Sequence, residues 1–284
     1  MSTVAEISIL MANFNNGNFF EDAYRSLLGQ TSDQWEAIVI DDASSDNSVE
    51  TIKNLIDGDP RFRFYCNNVN LGYQKTVALA IGLSRAPVFG RLDPDDALHP
   101  EAIEVSLQAH RRHPDAGLIY SDSVYCDSHL NPSHINRGRQ VEAGVEPIYN
   151  LDGAIRHFAT FKRRVYDRTS GIDPFNRRAE DQDLYLKMAE ASPVKHVGRP
   201  LYFYRVHDRS ASTGENLEKA FFWQWVAIVK MAERRNINLE DLFTAHFAER
   251  RRIAKFAQRR ENLIKIVKER WILATLAKLT GRKL

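Results

Sequence analysis

Three aspartates lie within four residues, at Asp93, Asp95 and Asp96, between an apolar run and a segment with helical periodicity. Clustered carboxylates repel one another and raise one another's pKa values unless a cation or hydrogen-bond donors offset the charge. Alternate acids at the end of a strand can point into one cleft and offer oxygen ligands to Mg²⁺ or Mn²⁺, which often bridge to a substrate phosphate. The alternative is a turn in which Asp95 or Asp96 caps a helix beginning at Ala97.

A second acidic pair, Asp41 and Asp42, ends the segment "WEAIVIDD". A carboxylate at the end of a strand could accept hydrogen bonds from a ribose or from a base edge. The alternative is again helix capping, because the residues that follow, Ser44, Ser45 and Asp46, all favour a helix start. The sequence has neither a Gly-x-Gly-x-x-Gly fingerprint nor a Gly-Lys-Ser/Thr P-loop, so it indicates neither of those two kinds of nucleotide site.

A third acidic group opens a predicted helix with Glu180, Asp181 and Asp183. Acids at a helix N-terminus are favoured by the helix dipole alone. One of them could also act as a general base, if it lies within hydrogen-bond reach of a reacting hydroxyl. His207 follows a late strand; a loop histidine is usually just solvated, but an imidazole near two carboxylates would complete a metal site.

The elements that must position these acids alternate between strand and helix in the first hundred residues. Short apolar segments that end in polar residues predict strands at 6–14, 35–42, 61–68 and 87–92, with amphipathic helices between them. This alternation predicts an α/β fold of Rossmann-like kind with a mostly parallel central sheet. Ligands bind at the carboxyl ends of such strands, so we expect the acids to meet at one edge of the sheet.

The rest of the chain is predicted to contain longer and less regular elements. In order, they are a helix from Ala97, a strand at 116–127, a polar excursion at 128–150, a helix at 177–190 and a strand-to-loop segment at 200–213. The excursion is long and punctuated by Gly and Pro, so we expect it to contact a substrate rather than the core.

Composition restricts the class of protein. The 284 residues are 43% apolar and 27% charged, which is typical of a folded globular protein. No segment has the form of a signal peptide or the roughly 20 apolar residues of a spanning helix, so we expect a cytoplasmic protein. Cys66 and Cys126 have no metal-site spacing and are expected to be reduced thiols. The net charge of +2 is not that of a uniformly basic chain, and no nucleic-acid partner is expected.

Six segments, taken together, resemble in order and spacing the bacterial family-two glycosyltransferases with a GT-A fold. These segments are "ILMANFNNGNFFEDAYRSLLGQT", "IVIDDASSDNS", "NLGYQKTVALAIGLSRA", "GRLDPDD", "RAEDQDLYLKM" and "YRVHDRSAS". The resemblance covers residues 5–213 and implies a GT-A domain at 1–213, with a nucleotide-binding half at 1–98 and an acceptor-side half at 99–213. A C-terminal helical region is expected at 214–284.

The resemblance implies a nucleoside site formed by the first strand end and the acid after the second strand. The matching residues are Asn13, Phe14, Asn15 and Asp41. Lys75 and Arg91 match basic residues that contact the donor in part of the family, and Arg205 matches a segment near the diphosphate. The family usually has Pro at Ala12, and Asn and Gly at Ala78 and Ala80, which leaves the details of diphosphate contact open.

The resemblance also implies a metal site and a general base. The DXD acids of the family match Asp93 and Asp95, which would hold Mn²⁺ or Mg²⁺ on the donor diphosphate, with His207 as a third ligand. The Glu-Asp pair of the family matches Glu180 and Asp181, of which the aspartate would be the base.

These roles imply a metal-dependent inverting transfer of a hexose or N-acetylhexosamine from a nucleotide diphosphate, UDP by family resemblance, to a hydroxyl of a glycan or lipid-linked acceptor. One base and one metal favour inversion, because retention by double displacement would need a second carboxylate at the sugar. Two alternatives remain open. A non-catalytic sugar-nucleotide or glycan-binding module would release no nucleoside diphosphate, and a nucleotidyltransferase would release pyrophosphate instead.

The C-terminal segment is the most basic part of the chain. From Arg250 onward it has 12 Lys and Arg against 2 Asp and Glu, and apolar residues that include Trp271 fall at helical spacing. One interpretation is a helix that packs on the catalytic domain or on a second copy in a homodimer. The other is a peripheral helix on the inner face of the membrane, held there by anionic lipids. It has too few continuous apolar residues to span the bilayer.

Overall fold

The first part of the chain alternates strands and helices. The computed structural model describes residues 4–141, 153–207 and 216–244, together with Arg259, Glu261 and Lys265. The elements, in chain order, are β1 (Ile7–Asn13), α1 (Phe20–Leu28), β2 (Trp35–Asp41), α2 (Ser48–Ile56), β3 (Phe62–Cys66), α3 (Tyr73–Leu83) and β4 (Val88–Arg91). The strands pair in parallel in the order β3-β2-β1-β4. The predicted Rossmann-like α/β arrangement is confirmed.

Strand β1 shows why this half of the sequence folds as it does. All seven of its residues are buried, because helices cover both faces of the sheet. Successive side chains of a strand point to opposite faces. Ile9 and Met11 therefore pack with Phe20 of α1 in one core, whereas Leu10 packs with Val77 of α3 in the other.

The second half of the sheet is mixed. Its elements, in chain order, are β5 (Ala97–Leu98), α4 (Ala102–Arg112), β6 (Leu118–Cys126), β7 (Pro132–Asn136), β8 (Arg156–Lys162), α5 (Arg163–Tyr166), α6 (Glu180–Ala191) and β9 (Val194–Arg205). β8 lies between β4 and β6 and is antiparallel to both, while β9 is parallel to β6 and antiparallel to β5.

Three features of this half differ from the sequence-based prediction. Strand β7 lies within the polar excursion predicted at 128–150 and pairs with β6, so part of that excursion belongs to the sheet. The helix predicted from Ala97 begins instead at Ala102, since Ala97 and Leu98 pair with β9 as a short strand. The strand β8 was not predicted, because it follows the polar excursion and carries no strong alternation of its own. Residues 142–150 of that excursion lie outside the described part of the chain.

The chain divides into two compact units, Met1–Met231 and Ala232–Leu284. Helix α7 (Leu217–Arg235) starts in the first unit, and α8 (Leu239–Leu242) belongs to the second. The predicted domain boundary at residue 213 lies outside the described residues, and so does the basic segment from Arg250 onward apart from three single residues, so its role stays a prediction. None of the helices among the described residues is long and apolar enough to cross a bilayer.

We expect Gly90→Ala to destabilise the protein, because Gly90 lies where β4 meets β8. An added Cβ would lie 2.9 Å from Cζ of Phe158 and 3.0 Å from Cγ2 of Thr160, both in a packed core. Overpacking of this kind should lower the free energy of unfolding by about 1–3 kcal/mol in urea titrations followed by circular dichroism.

Gly82→Ala is the matched control. Gly82 lies in α3 with open space around its Cα, so the added methyl group should leave stability unchanged or raise it by about 0.5–1 kcal/mol. Equal stability of the two variants would show that the β4–β8 contact tolerates a side chain.

Candidate active site

A cleft of about 610 Å³ opens beyond the carboxyl ends of the parallel strands. Ala12 and Asn13 at the end of β1, Asp42 after β2 and the segment that follows Arg91 of β4 all line it. The N-terminus of α6, with Glu180, lines the cleft as well. The predicted meeting of polar residues at one edge of the sheet is therefore seen in the structure.

Arg91 joins the two acidic groups of the cleft. Its Nη1 donates a hydrogen bond of 2.9 Å to Oε1 of Glu180, and its Nε lies 3.5 Å from Oδ1 of Asp93. Both side chains of the Arg91–Glu180 pair are largely shielded from solvent, at 15% and 13% exposure. Burial raises the pKa of Glu180, and the positive charge of Arg91 opposes that rise. Tyr73 adds a second donor to Asp93, with 2.6 Å between its hydroxyl and Oδ1.

Asp95 faces a different partner. Its Oδ2 lies 2.9 Å from Nε2 of His207, and the His207 ring lies 4.9 Å from the ring of Phe19. Burial and the neighbouring charge of Asp93 raise the pKa of Asp95, while the hydrogen bond from His207 lowers it. Asp95 and His207 are thus brought together across 112 residues of sequence.

Asp96 is turned into the protein, although it also borders the cleft. Its carboxylate accepts hydrogen bonds from the hydroxyl of Tyr202 at 2.7 Å and from the backbone N–H of Arg205 at 2.7 Å. Burial and the charges of Asp95 and Asp93 raise the pKa of Asp96 well above its usual value. Asp96 therefore fixes the acidic turn to β9, and it does not cap a helix at Ala97.

The predicted metal ligands Asp93, Asp95 and His207 all line the cleft. Within the described ranges, no three His, Cys, Asp or Glu side chains are already gathered around one point. The donor set nevertheless fits a hard divalent cation, because it contains two carboxylates beside an imidazole. The charge of Asp93 that raises the pKa of Asp95 is also the repulsion that a cation between the two would relieve.

Two of the four residues predicted to hold a nucleoside face the cleft. Asn13 and Phe14 line it, and Phe14 is 46% exposed. Asp41 lies behind them: its buried Oδ2 accepts hydrogen bonds from Nδ2 of Asn13 at 2.7 Å and from the hydroxyl of Ser44 at 2.6 Å. The amide of Asn15 turns to the loop after β2, where its Oδ1 accepts the N–H of Ser45. Asp41 and Asn15 therefore shape the loops around the cleft without lining it.

Two predicted basic contacts also lie off the cleft. Arg205 is 3% exposed, and its guanidinium donates to the backbone oxygen of Asp95 and to Oδ2 of Asp22, while it stacks on the ring of Phe19. Lys75 is exposed on α3 and does not line the cleft. Arg205 thus supports the turn that carries Asp93 and Asp95.

Two further residues line the cleft: Asp42, which was a candidate through the Asp41–Asp42 pair, and His157, which was not predicted. Asp42 accepts the backbone N–H groups of Leu71 and Gly72 at 2.9 Å each and so fixes the start of α3. His157 enters the cleft from β8, and burial together with the charge of Arg91 lowers the pKa of His157 to about 4. The sequence signal for Asp42 was present in the Asp-Asp pair, but His157 had none because β8 was not predicted.

The predicted base lies at the N-terminus of α6. Asp181 lines the cleft, and its Oδ1 accepts the backbone N–H of Gln182 at 2.8 Å. Within the described part of the chain, this is the hydrogen bond that its carboxylate accepts. The preceding residues Arg177 and Arg178 line the same side of the cleft. The cleft thus combines a carboxylate that could act as a general base with a pair of acids that could hold a cation.

The fold and this site define an α/β transferase of GT-A type. The sequence model of glycosyl transferase family 2 matches residues 8–169, which is more than half of the chain. The chain belongs to glycosyl transferase family 2.

Among characterised relatives, the chain is 28% identical over 218 residues to the chondroitin synthase of Escherichia coli, covering 75% of this chain and 30% of that protein. It is 26% identical over 214 residues to the hyaluronan synthase of Pasteurella multocida, covering 75% of this chain and 22% of the relative. The chain therefore spans less than a third of the length of these relatives.

Solved structures agree with the fold. The structure of S. aureus TarS 1-349 in complex with UDP-GlcNAc superposes with a TM-score of 0.66 at 14% identity, covering 80% of this chain and 66% of that one. The mannosyltransferase PcManGT from Pyrobaculum calidifontis, in complex with GDP-Man and Mn²⁺, gives a TM-score of 0.57 at 12% identity, covering 87% and 81%. The predicted GT-A fold is confirmed.

We expect Arg91→Met to lower the free energy of unfolding by about 3 kcal/mol, because it leaves the buried carboxylate of Glu180 without its cation. Loss of Arg91 should also raise the pKa of Glu180 further above its unfolded value. A carboxyl group with a raised pKa costs stability as pH rises through that pKa, so the deficit should be larger in alkaline than in mildly acidic buffer.

Urea unfolding at several pH values measures this difference. Arg85→Met is the control, since Arg85 is exposed and should change stability by about 0.5 kcal/mol or less. A deficit that does not depend on pH would mean that the loss comes from packing and not from the charge of Glu180.

Proposed function

We propose that the protein is a metal-dependent inverting glycosyltransferase, which moves a sugar from a UDP-linked donor to a hydroxyl of a glycan or lipid-linked acceptor. The observation that carries the proposal is the cleft itself, which Asp93, Asp95 and Asp181 all line. Family membership supports the reaction class. The names of the relatives, chondroitin synthase and hyaluronan synthase, support a growing glycan as acceptor.

The donor end of the cleft supports a nucleoside site. Phe14 offers an exposed aromatic face at the end of β1, and Asn13 offers an amide whose Oδ1 is buried without a hydrogen-bond partner among the described residues. Asp41 holds that amide in place, and Asp42 holds Gly72 at the start of α3. In this proposal, Asn13 and Phe14 contact the nucleoside directly, whereas Asp41 acts on it through Asn13. The complex of TarS with UDP-GlcNAc supports UDP as the carrier.

Asp93 and Asp95 would hold a divalent cation, Mn²⁺ or Mg²⁺, with His207 beside Asp95. When bound, the cation neutralises the negative charge that develops on the leaving diphosphate. Tyr73 and Arg91 orient Asp93 through the hydrogen bond and ion pair described above. Arg205 and Asp96 hold the turn that carries both ligands.

Asp181 is proposed to accept the proton of the acceptor hydroxyl. The hydroxyl oxygen forms a bond to the anomeric carbon as the bond from that carbon to the diphosphate oxygen breaks, and the diphosphate leaves with the electron pair. Attack from the face opposite the leaving group inverts the anomeric centre in one step. Glu180, paired with Arg91, positions the start of α6 so that the base faces the cleft.

We expect Asp181→Asn to lower the transfer rate by about 10²- to 10⁴-fold, because an amide cannot accept the proton of the hydroxyl. The affinity for the donor should stay close to that of the wild type, since Asp181 acts on the acceptor. Release of nucleoside diphosphate in the presence of acceptor, and donor binding by calorimetry, measure the two effects.

Asp115→Asn is the matched control, because Asp115 is exposed and does not line the cleft. Transfer by Asp181→Asn at the rate of this control would disprove the assignment of the base. Pyrophosphate as the product of the wild type would indicate a nucleotidyltransferase instead.

We expect Asp93→Ala and Asp95→Ala to abolish transfer, whereas His207→Ala should weaken its dependence on metal more mildly. A carboxylate contributes a full negative charge to a hard cation, but an imidazole is a neutral ligand. Titration of Mn²⁺ in the transfer assay gives the dependence. The rise in melting temperature that Mn²⁺ causes in the presence of UDP gives a readout that needs no activity.

A bound ligand at 100 times its Kd stabilises a protein by about 2.7 kcal/mol, so loss of this stabilisation in the two aspartate variants would be measurable. Asp115→Ala should behave as the wild type. Transfer that continues undiminished in EDTA would contradict the metal site.

A further inference from the structure

A second concave surface, of about 770 Å³, adjoins the cleft and is lined by aromatic and basic side chains. We call it the aromatic surface and define it by its lining residues: Phe175, Arg177, Arg178, Glu218, Lys219, Phe222 and Trp223. All seven belong to the unit Met1–Met231, and they come from the loop before α6 and from the first half of α7.

The aromatic rings of this surface are arranged as a cluster with open faces. Phe175 and Trp223 meet edge to face, with centroids 5.7 Å apart, and Trp223 and Phe222 do the same at 5.4 Å. Phe175 is 69% exposed and Phe222 is 58% exposed. Large apolar side chains that are exposed side by side often mark a binding surface, whereas single exposed ones need no explanation. The electron-rich face of an aromatic ring suits the C–H groups on the flat side of a sugar ring.

The charges around the rings favour an anionic ligand. Three of the lining residues are basic, namely Arg177, Arg178 and Lys219. Another lining residue, Glu218, is acidic. Guanidinium groups bind carboxylate and phosphate oxygens through paired N–H donors. A neutral sugar has no anionic group to accept such a pair of hydrogen bonds. Arg178 is already held in place by a hydrogen bond of 3.0 Å from Nη2 to Oδ1 of Asn216.

Lys230 of α7 supports the loop that carries Phe175. Nζ of Lys230 lies 2.6 Å from Oδ2 of Asp173 and 2.8 Å from Oδ1 of Asn176, and 5.0 Å from the centre of the Phe175 ring. These contacts tie the loop to α7 at both sides of Phe175. The ring is therefore presented by a supported loop.

The aromatic surface is continuous with the cleft. Arg177 and Arg178 line both, and Phe221, next to Phe222 on α7, lines the cleft. A chain lying on the rings would pass the two arginines and then reach the start of α6, where Asp181 lies. The geometry therefore connects a site for an extended ligand to the proposed base.

We propose that the aromatic surface binds the acceptor, and that this acceptor is a glycan chain carrying acidic groups, carboxylates or phosphates, along its length. A sugar ring of the chain stacks on Phe175 or Phe222, and its acidic groups pair with Arg177, Arg178 and Lys219. This inference rests on the proposed function, whose acceptor class it specifies.

Calorimetric titration of the full chain without donor tests the inference. The probes are a hexasaccharide of alternating glucuronate and N-acetylhexosamine, the same hexasaccharide with its carboxylates reduced to alcohols, and a phosphodiester-linked glycerol hexamer. We expect an acidic probe to bind at least about tenfold more tightly than the reduced hexasaccharide, a difference of about 1.4 kcal/mol. The better of the two acidic probes identifies carboxylate or phosphate as the group that is recognised.

Variants connect the binding to the surface. Phe175→Ala and Phe222→Ala should each weaken binding of the acidic probe about tenfold, the usual cost of truncating a contact aromatic. Arg177→Gln should remove most of the preference for the acidic probe over its reduced form. Leu79→Ala and Arg85→Gln are matched controls, since both residues are exposed and line neither the cleft nor the aromatic surface. Melting temperatures confirm that each variant is folded.

Three results would overturn the inference: no binding of either acidic probe, equal binding of the reduced hexasaccharide, or loss of binding that is no greater in the aromatic variants than in the controls. A change of mass in solution caused by Phe222→Ala would show that a second copy covers the surface, and it would also overturn the inference.

The two proposals can fail separately. If the wild type binds the acidic probe on this surface but releases no nucleoside diphosphate from a UDP-sugar, the proposed function is wrong and the binding surface stands. If the wild type transfers sugar to a soluble acceptor and Phe175→Ala and Phe222→Ala transfer it equally well, the surface is not the acceptor site and the proposed function stands.

Discussion

The ion pair between Arg91 and Glu180 is the interaction on which the cleft depends. It joins the end of β4 to the start of α6 across 89 residues of sequence, and the same guanidinium lies beside Asp93. Burial penalises each of these charges alone, so one cation between two acids lowers the cost of keeping both near the cleft. Arg91 thus links the segment that carries the proposed metal ligands to the helix that carries the proposed base.

The three aspartates at the end of β4 divide their roles because neighbouring residues point in different directions. Asp93 faces Tyr73 and Arg91, and Asp95 faces His207. Asp96 turns inward to β9 and gives the turn its rigidity. Donors from the protein thus offset part of the repulsion within the cluster. Asp93 still raises the pKa of Asp95, and a divalent cation between these two carboxylates would relieve that repulsion.

The cleft and the aromatic surface share Arg177 and Arg178, which lie just before the helix that carries Asp181. A donor held at the strand ends and an acceptor held on the aromatic rings would approach this helix from different sides. Helix α7 contributes to both surfaces with adjacent residues. The first half of α7 therefore lines both the cleft and the aromatic surface.

The alternation from β1 to α3 and the gathering of acids at strand ends could be predicted from the sequence, because apolar periodicity and strand-end chemistry are local properties. Which acid of the Asp41–Asp42 pair borders the cleft could not be predicted. Asp41 pairs with Asn13 across β1 and β2 and is buried, whereas Asp42, one residue later, borders the cleft.

The same holds for β8, which brings His157 into the cleft, and for the aromatic surface, which joins Phe175 to Trp223. These arrangements depend on antiparallel pairing and helix packing between distant segments. The tertiary structure alone decides them, because the burial that orients each side chain is supplied by residues far away in the sequence.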